Sequence, residues 1–239
     1  MVLANATDAM DRGDVPDQDC GSREYEEYAT EMYAELFAFA SLVHPDAAAR
    51  ADYAARARTL LMTAITEAAK GPATQENYNC NGSRGYPPFR HPEFFTTDSN
   101  RARWHGEAFP LVVDWIYPSL SAADKAKIRT VFLRWSEEIK QSGYHHPEPV
   151  GLVNDPALLA DRLQVRWAGN NYFTAHMRNL GLMALALDPA DDPGQTLHAY
   201  LDPGSYTHLT LPPTDLGEIS GVAVTLKKKK KTTHRASSA

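Results

Sequence analysis

Between residues 22 and 204, apolar side chains recur at three- and four-residue steps, in stretches punctuated by Pro, Gly, Asp and Asn. Tyr25, Tyr28, Met32, Leu36 and Phe39 mark one stripe. It predicts a helix from a Ser22 cap to about Val43, stopped by His44-Pro45. Asp46 opens a second helix with Tyr53, Ala57, Leu60, Leu61, Ala64 and Ile65 on one side, ended by Gly71-Pro72. So short a connection predicts an antiparallel hairpin. Trp104 to Ile116 is the next apolar stretch; it carries Pro110 and ends at Tyr117-Pro118. Ser121 to Asp124 reads as a capping box with Asp in place of Glu. The helix it opens runs from about Ala122 to Gln141, with Ile128, Val131, Phe132 and Trp135 inward. Asn154 or Asp155 caps a short helix with Pro156 at its first position. Asn170 or Asn171 opens a helix to about Leu187, ended by Asp188-Pro189, and Asp192-Pro193 begins another. No strand-like alternation is visible before the C-terminal tail. The expected fold class is all-α, built of successive antiparallel helical hairpins.

The flanks differ from this domain, which spans residues 22–204. Residues 1–21 are polar and aperiodic and read as a loose N-terminal arm. Residues 72–100 are rich in Asn, Pro and Gly, with Tyr78, Tyr86, Phe89, Phe94 and Phe95. Such a segment is either a functional loop or lid, or a surface loop anchored by its aromatics. In the tail, Ser205 to Pro212 (SYTHLTLP) and Glu218 to Lys227 (EISGVAVTLK) resemble the translation of two sequencing-library adapters in their usual order. The lysine run that ends at Lys231 then resembles translated poly-A. Residues 205–239 are therefore expected to be non-native and disordered, and the domain before them truncated.

Composition narrows the classes. The 239 residues are 43% hydrophobic and 23% charged with 2 Cys, which excludes collagen-like, disulfide-scaffold and wholly disordered chains. No apolar run reaches the length of a membrane span, so no membrane partner is expected. The net charge is −6, and the tail holds six Lys or Arg against two Asp or Glu, leaving −10 on the remainder. That balance argues against a nucleic-acid partner. Cys20 and Cys80 can form one bridge or stay free thiols. Met1 to Asp14 carries three Asp and no apolar leader, which makes the cytoplasm the default expectation. No Gly-rich phosphate loop, G-x-S-x-G or C-x-x-C motif is present, and no cofactor is expected. His145-His146 with Glu148 is poorly spaced for a tetrahedral site, and no metal is expected.

Two phrases carry a family resemblance over about residues 104–190. The first is Val113-Asp114-Trp115-Ile116-Tyr117-Pro118-Ser119-Leu120-Ser121, followed by Asp124. The second is Asn170-Asn171-Tyr172 with Asn179-Leu180-Gly181-Leu182-Met183-Ala184-Leu185-Ala186-Leu187. Both resemble the helical toroid of heparinase II/III-like and alginate-lyase-like polysaccharide lyases. The resemblance implies a partial (α/α)n toroid, normally followed by a β-sandwich, and secretion. It also implies β-elimination on uronate-containing glycans, with an acidic polysaccharide or oligosaccharide as partner.

Such an enzyme must neutralise the uronate carboxylate, remove the adjacent proton and protonate the leaving oxygen. By resemblance, Asn170 or Asn171 is the neutraliser and His176 or Tyr172 the base. This chain departs from the family pattern, in which His often follows Asn directly; His176 lies five or six residues on. On a helix, Tyr172, His176 and Asn179 share one face, while Phe173, Met177 and Leu180 form the apolar stripe. The competing reading makes the asparagines helix caps and His176 a packed core residue. A second cluster is Trp104, His105 and Glu107, with Tyr117 further on. Trp104 and Tyr117 offer stacking faces for a sugar, and His105 and Glu107 an acid and a base; the alternative is an ordinary helix start. Arg90 lies among loop aromatics in a mixture that suits an anionic or sugar ligand. A glycoside hydrolase would need two carboxylates, of which Glu107 and Asp114 are the attractive pair. A non-catalytic helical scaffold, or a glycan- or protein-binding domain, is the remaining alternative. Convergence of these clusters on one face would favour the enzyme.

Overall fold

A computed structural model describes residues 1–17, 28–80, 82–91, 100–141 and 171–201, the side chains of 83, 100–103, 140–141 and 171–174 excepted. The helices are α1 (Val2–Arg12), α2 (Thr30–Val43), α3 (Ala47–Ala68), α4 (Asn100–Trp115), α5 (Ala122–Gln141) and α6 (Asn171–Leu185). A small antiparallel pair, β1 (Tyr78–Cys80) and β2 (Ser83–Gly85), lies between α3 and α4. Short 3-10 turns at Tyr117–Ser119, Pro189–Asp191, Pro193–Gln195 and His198–Leu201 complete the described chain. The protein is mostly helical, as the periodicity implies. Asn170, the Pro156 helix and the tail from 202 lie outside the described residues.

Local chemistry sets the helix ends. The Asp46 carboxylate accepts the N–H of Ala49 at 2.9 Å and starts α3. At the far end of α3, Gly71 takes a φ of 81°. There Arg90 Nε donates to the Gly71 carbonyl at 2.8 Å, and Arg134 donates to the Ala68 carbonyl. Two guanidinium groups thus bond carbonyls at and just past the end of α3, where the Ala68 carbonyl also accepts the Gly71 N–H at 3.0 Å. The capping box that opens α5 is present. Asp124 accepts from the Ser121 N–H (2.9 Å) and hydroxyl (2.8 Å), and the Ser121 hydroxyl accepts from the Asp124 N–H at 3.1 Å. Arg58 of α3 reaches the same carboxylate at 2.7 and 2.9 Å. Pro110 sits inside α4, where it removes the bond to the Gly106 carbonyl.

The stripes expected for α3 and α5 face the core: Leu60, Leu61 and Ile65 pack with Ile128, Val131, Phe132 and Trp135. The stripe expected for α2 does so only in part, since Tyr28 and Leu36 pack against the core. Met32 and Phe39 are 49% and 51% exposed, while Ala34, Phe37 and Ala38 are buried. The reading by large side chains is rotated from the buried face, which is formed by Phe37 with Ala34, Ala38 and Ala40.

Three further expectations are corrected. Residues 1–21 do not begin as a loose arm: α1 buries Ala6 and Ala9 and is closed by Gly13 at φ 84°. Its aspartates point outward and pair with arginines, Asp8 with Arg12 and Asp11 with Arg56, which masks the narrow apolar stripe. The 72–100 segment is not free of strands, although each is only three residues long, too short to display alternation. The Asn79 side chain closes their turn by accepting the Gly82 N–H at 2.9 Å. Asp192-Pro193 opens turns rather than a full helix. Gly194 takes a φ of 73°, and the following chain winds around the fully buried Asp192 carboxylate. That carboxylate accepts the Leu197 and His198 N–H groups (2.9 and 3.0 Å), the His198 ring (3.0 Å) and Arg129 Nε (2.6 Å).

Contacts between helices fix their directions. Glu31 meets His105 near the starts of α2 and α4, and Phe39 meets Trp115 near their ends, so the two run the same way. Arg178 meets Glu107, and Tyr117 meets Asp188 beyond α6, so α4 and α6 also agree. Arg58 to Asp124 and Ala68 to Arg134 give the same result for α3 and α5. Cys80 is disulfide-bonded, and the sequence holds one other cysteine, Cys20.

Candidate functional site

The two residue clusters expected from sequence meet where α4 lies between α2 and α6. The closest approach is at Gly106. A Cβ there would stand 2.4 Å from the Asn179 amide nitrogen and 2.9 Å from its Cβ. Glycine at 106 therefore lets α6 seat Asn179, which is fully buried, against the α4 backbone. On one side of this contact, Arg178 Nη2 pairs with Glu107 Oε2 at 2.6 Å, both side chains about 40% exposed. His105 and His176, on the same two helices, are buried at 1% and 0% exposure.

The His105 ring is held from several directions. Its Nε2 lies 3.1 Å from Glu31 Oε2, and both side chains are buried. It stacks on Phe109 with centroids 5.3 Å apart, and Phe89 from the loop after β2 meets it edge-on at 5.9 Å. One aromatic of the 72–100 segment thus anchors at this centre. Such packing fixes the ring and leaves it no route to solvent among the described residues.

Glu35 lies one turn after Glu31 on α2 and is half-buried. It makes no hydrogen bond or ion pair among the described residues. Burial first, then the charges of Glu107 and Glu31, push its carboxyl above the ordinary range. The site therefore holds three carboxyl groups, one on an imidazole, one on a guanidinium and one with neither.

The other expected residues are placed as follows. Trp104 is half-buried beside this centre, one residue before His105. Asn171 and Tyr172 open α6, their side chains outside the described residues. Arg90 is not at the site; it caps α3 through Gly71. Tyr117 lies at the other end of α4. Its hydroxyl donates to Asp191 and accepts the Asp188 N–H at 2.9 Å, and Lys125 Nζ sits 3.8 Å over its ring. Lys125 thus occupies a face on which a sugar would stack. Burial, then the bond to Asp191, raises the Tyr117 hydroxyl pKa. Asp114 is exposed, and Glu107 pairs with Arg178.

Glu31 and Glu35 are the members that sequence reading missed. Their signal is two glutamates one turn apart in an otherwise apolar helix, concealed once the wrong face of α2 is taken as buried. Among the described residues no group of three or more His, Cys, Asp or Glu is placed to hold a metal, and no helix is long and apolar enough to cross a membrane. No protein-family model, curated protein or solved structure matches the chain.

Proposed function

We propose that this chain is part of a carbohydrate-active helical toroid that cleaves uronate-containing glycans by β-elimination. The observation that carries the reading is that the two phrases meet, Gly106 against Asn179 and Glu107 on Arg178. The shared direction of α2, α4 and α6, and of α3 and α5, is what stacked helical hairpins would give. In this reading Asn170 or Asn171 neutralises the substrate carboxylate. Tyr172 rather than His176 takes the proton beside it, because the imidazole is fully buried. Arg178 is partly exposed and offers the anionic glycan a cation, and Trp104 offers it an apolar face.

The test incubates the full chain with alginate, heparan-type and polygalacturonate glycans and follows the ultraviolet absorbance of the unsaturated uronate product. A rise that Tyr172→Phe abolishes supports the reading. New reducing ends without that absorbance would mean hydrolysis. No cleavage of any glycan would leave a binding or scaffold domain.

A further inference from the structure

Helix α2 is apolar on both sides. One side packs inward through Ala34, Phe37 and Ala38. The other carries Met32, Phe39, Leu42 and Val43, of which the last three are 51%, 52% and 59% exposed. Leu36 is half-buried beside them. A helix that is apolar all round is normally covered all round. The exposed stripe continues onto the next helix. Phe39 meets Trp115 of α4 with ring centroids 5.8 Å apart, and half-buried Leu111 lies one turn before Trp115. The 14 residues of α2 span about 21 Å, enough for three turns of another helix to lie along them.

Charge narrows what that helix is. α2 has no Lys or Arg, and α4 has none after Arg103. The acidic residues of the two helices are Glu31, Glu35, Glu107 and Asp114. Glu31 is on the His105 ring at 3.1 Å, and Glu107 is on Arg178 at 2.6 Å. Glu35 and Asp114 have no cation among the described residues. Glu35 is three residues from Met32 and four from Phe39, which sets it in the stripe. Asp114 is exposed, three residues after Leu111. A second copy of the chain would bring these same carboxylates against their own counterparts, which like charge disfavours.

We propose that the outward face of α2 and α4 is a docking surface for a cationic amphipathic helix of a partner protein. Apolar side chains of that helix, recurring at three- and four-residue steps, cover Phe39, Leu42, Val43 and Trp115. Its Lys or Arg side chains pair with Glu35 and Asp114. The surface needs nothing from the glycan-cleaving reading, and the two stand or fall separately.

The test titrates the full chain into a labelled synthetic amphipathic helix of leucine and lysine and follows its fluorescence anisotropy. One control peptide has glutamate in place of lysine; another has the same residues in an order without a helical stripe. The leucine–lysine helix should bind, and the controls should not. Phe39→Ser with Val43→Ser should weaken binding about tenfold or more. Glu35→Gln with Asp114→Asn should weaken it about fivefold and flatten its salt dependence. This second pair leaves the apolar stripe intact, so it decides even if the first misfolds. No binding by wild type overturns the proposal, as does binding that a folded variant of either pair leaves unchanged. A dimer in sedimentation that Phe39→Ser with Val43→Ser dissociates overturns it in favour of a second copy.

Discussion

At the scale of single residues, Asp192 shows how a buried charge organises a loop. Burial alone would raise its carboxyl. The His198 ring and N–H, Arg129 and the Leu197 N–H outweigh that and hold it at about 2. A carboxyl depressed in the folded chain adds stability above its unfolded value of about 3.9. That contribution is lost as pH falls from there through the folded value. Urea unfolding followed on acidification should therefore show a loss of stability in that window, and Asp192→Asn should flatten it. The same substitution should lower stability at neutral pH by about 3 kcal/mol, because Arg129 loses the charge it pairs with. A variant as stable as wild type at neutral pH would mean that the turns from Pro189 to Leu201 hold without the charge. None of this was legible from the chain: Asp192-Pro193 looks like a helix start, and the partner Arg129 lies on a different helix. Gly106 was equally silent, since its role depends on the side chain of Asn179.

At the scale of elements, the helix stops and several starts were the legible part; the start of α2 was not, since it begins at Thr30 and not after a Ser22 cap. His44-Pro45, Gly71-Pro72, the Ser121–Asp124 box and Asp188-Pro189 act locally, so a local pattern reports them. The buried face of α2 was not legible, because alanine counts for little in a hydrophobic stripe and packing between helices decides which face turns in. The start of α5 permits a quantitative check. Burial would raise the Asp124 carboxyl, but Ser121 and then Arg58 lower it. Asp124→Ala should cost about 1 kcal/mol or more through loss of the box alone. The Arg58 side chain is 42% exposed, so a double-mutant cycle between Arg58→Ala and Asp124→Ala should give a coupling below about 1 kcal/mol. A larger coupling would make the link between α3 and α5, rather than the cap, the dominant role of this carboxylate.

At the scale of the whole molecule, helical character could be read from period alone, whereas the side-by-side order of α2, α4 and α6 could not. That order rests on contacts between residues some seventy positions apart, such as Glu31 with His105 and Tyr117 with Asp188. Half of the candidate site was visible for the same reason: Trp104, His105 and Glu107 form one local phrase and His176 to Asn179 another, but Glu35 joins them only through the fold. The disulfide at Cys80 is a second long-range constraint, and it weighs against the cytoplasmic default, since such bonds persist in oxidising compartments. Cys80→Ser should lower stability by about 2–4 kcal/mol. A reductant should lower the melting temperature of wild type but not of the variant. Equal melting of wild type with and without reductant would show that the bond closes nothing that unfolding opens.

The Tyr117 hydroxyl has a different kind of consequence. It joins the end of α4 to the chain just past α6, with the Asp188 N–H only 2.9 Å away. The seventy residues between them leave and return to nearly the same point in space. Changes of length within that stretch need not disturb the contact that closes it.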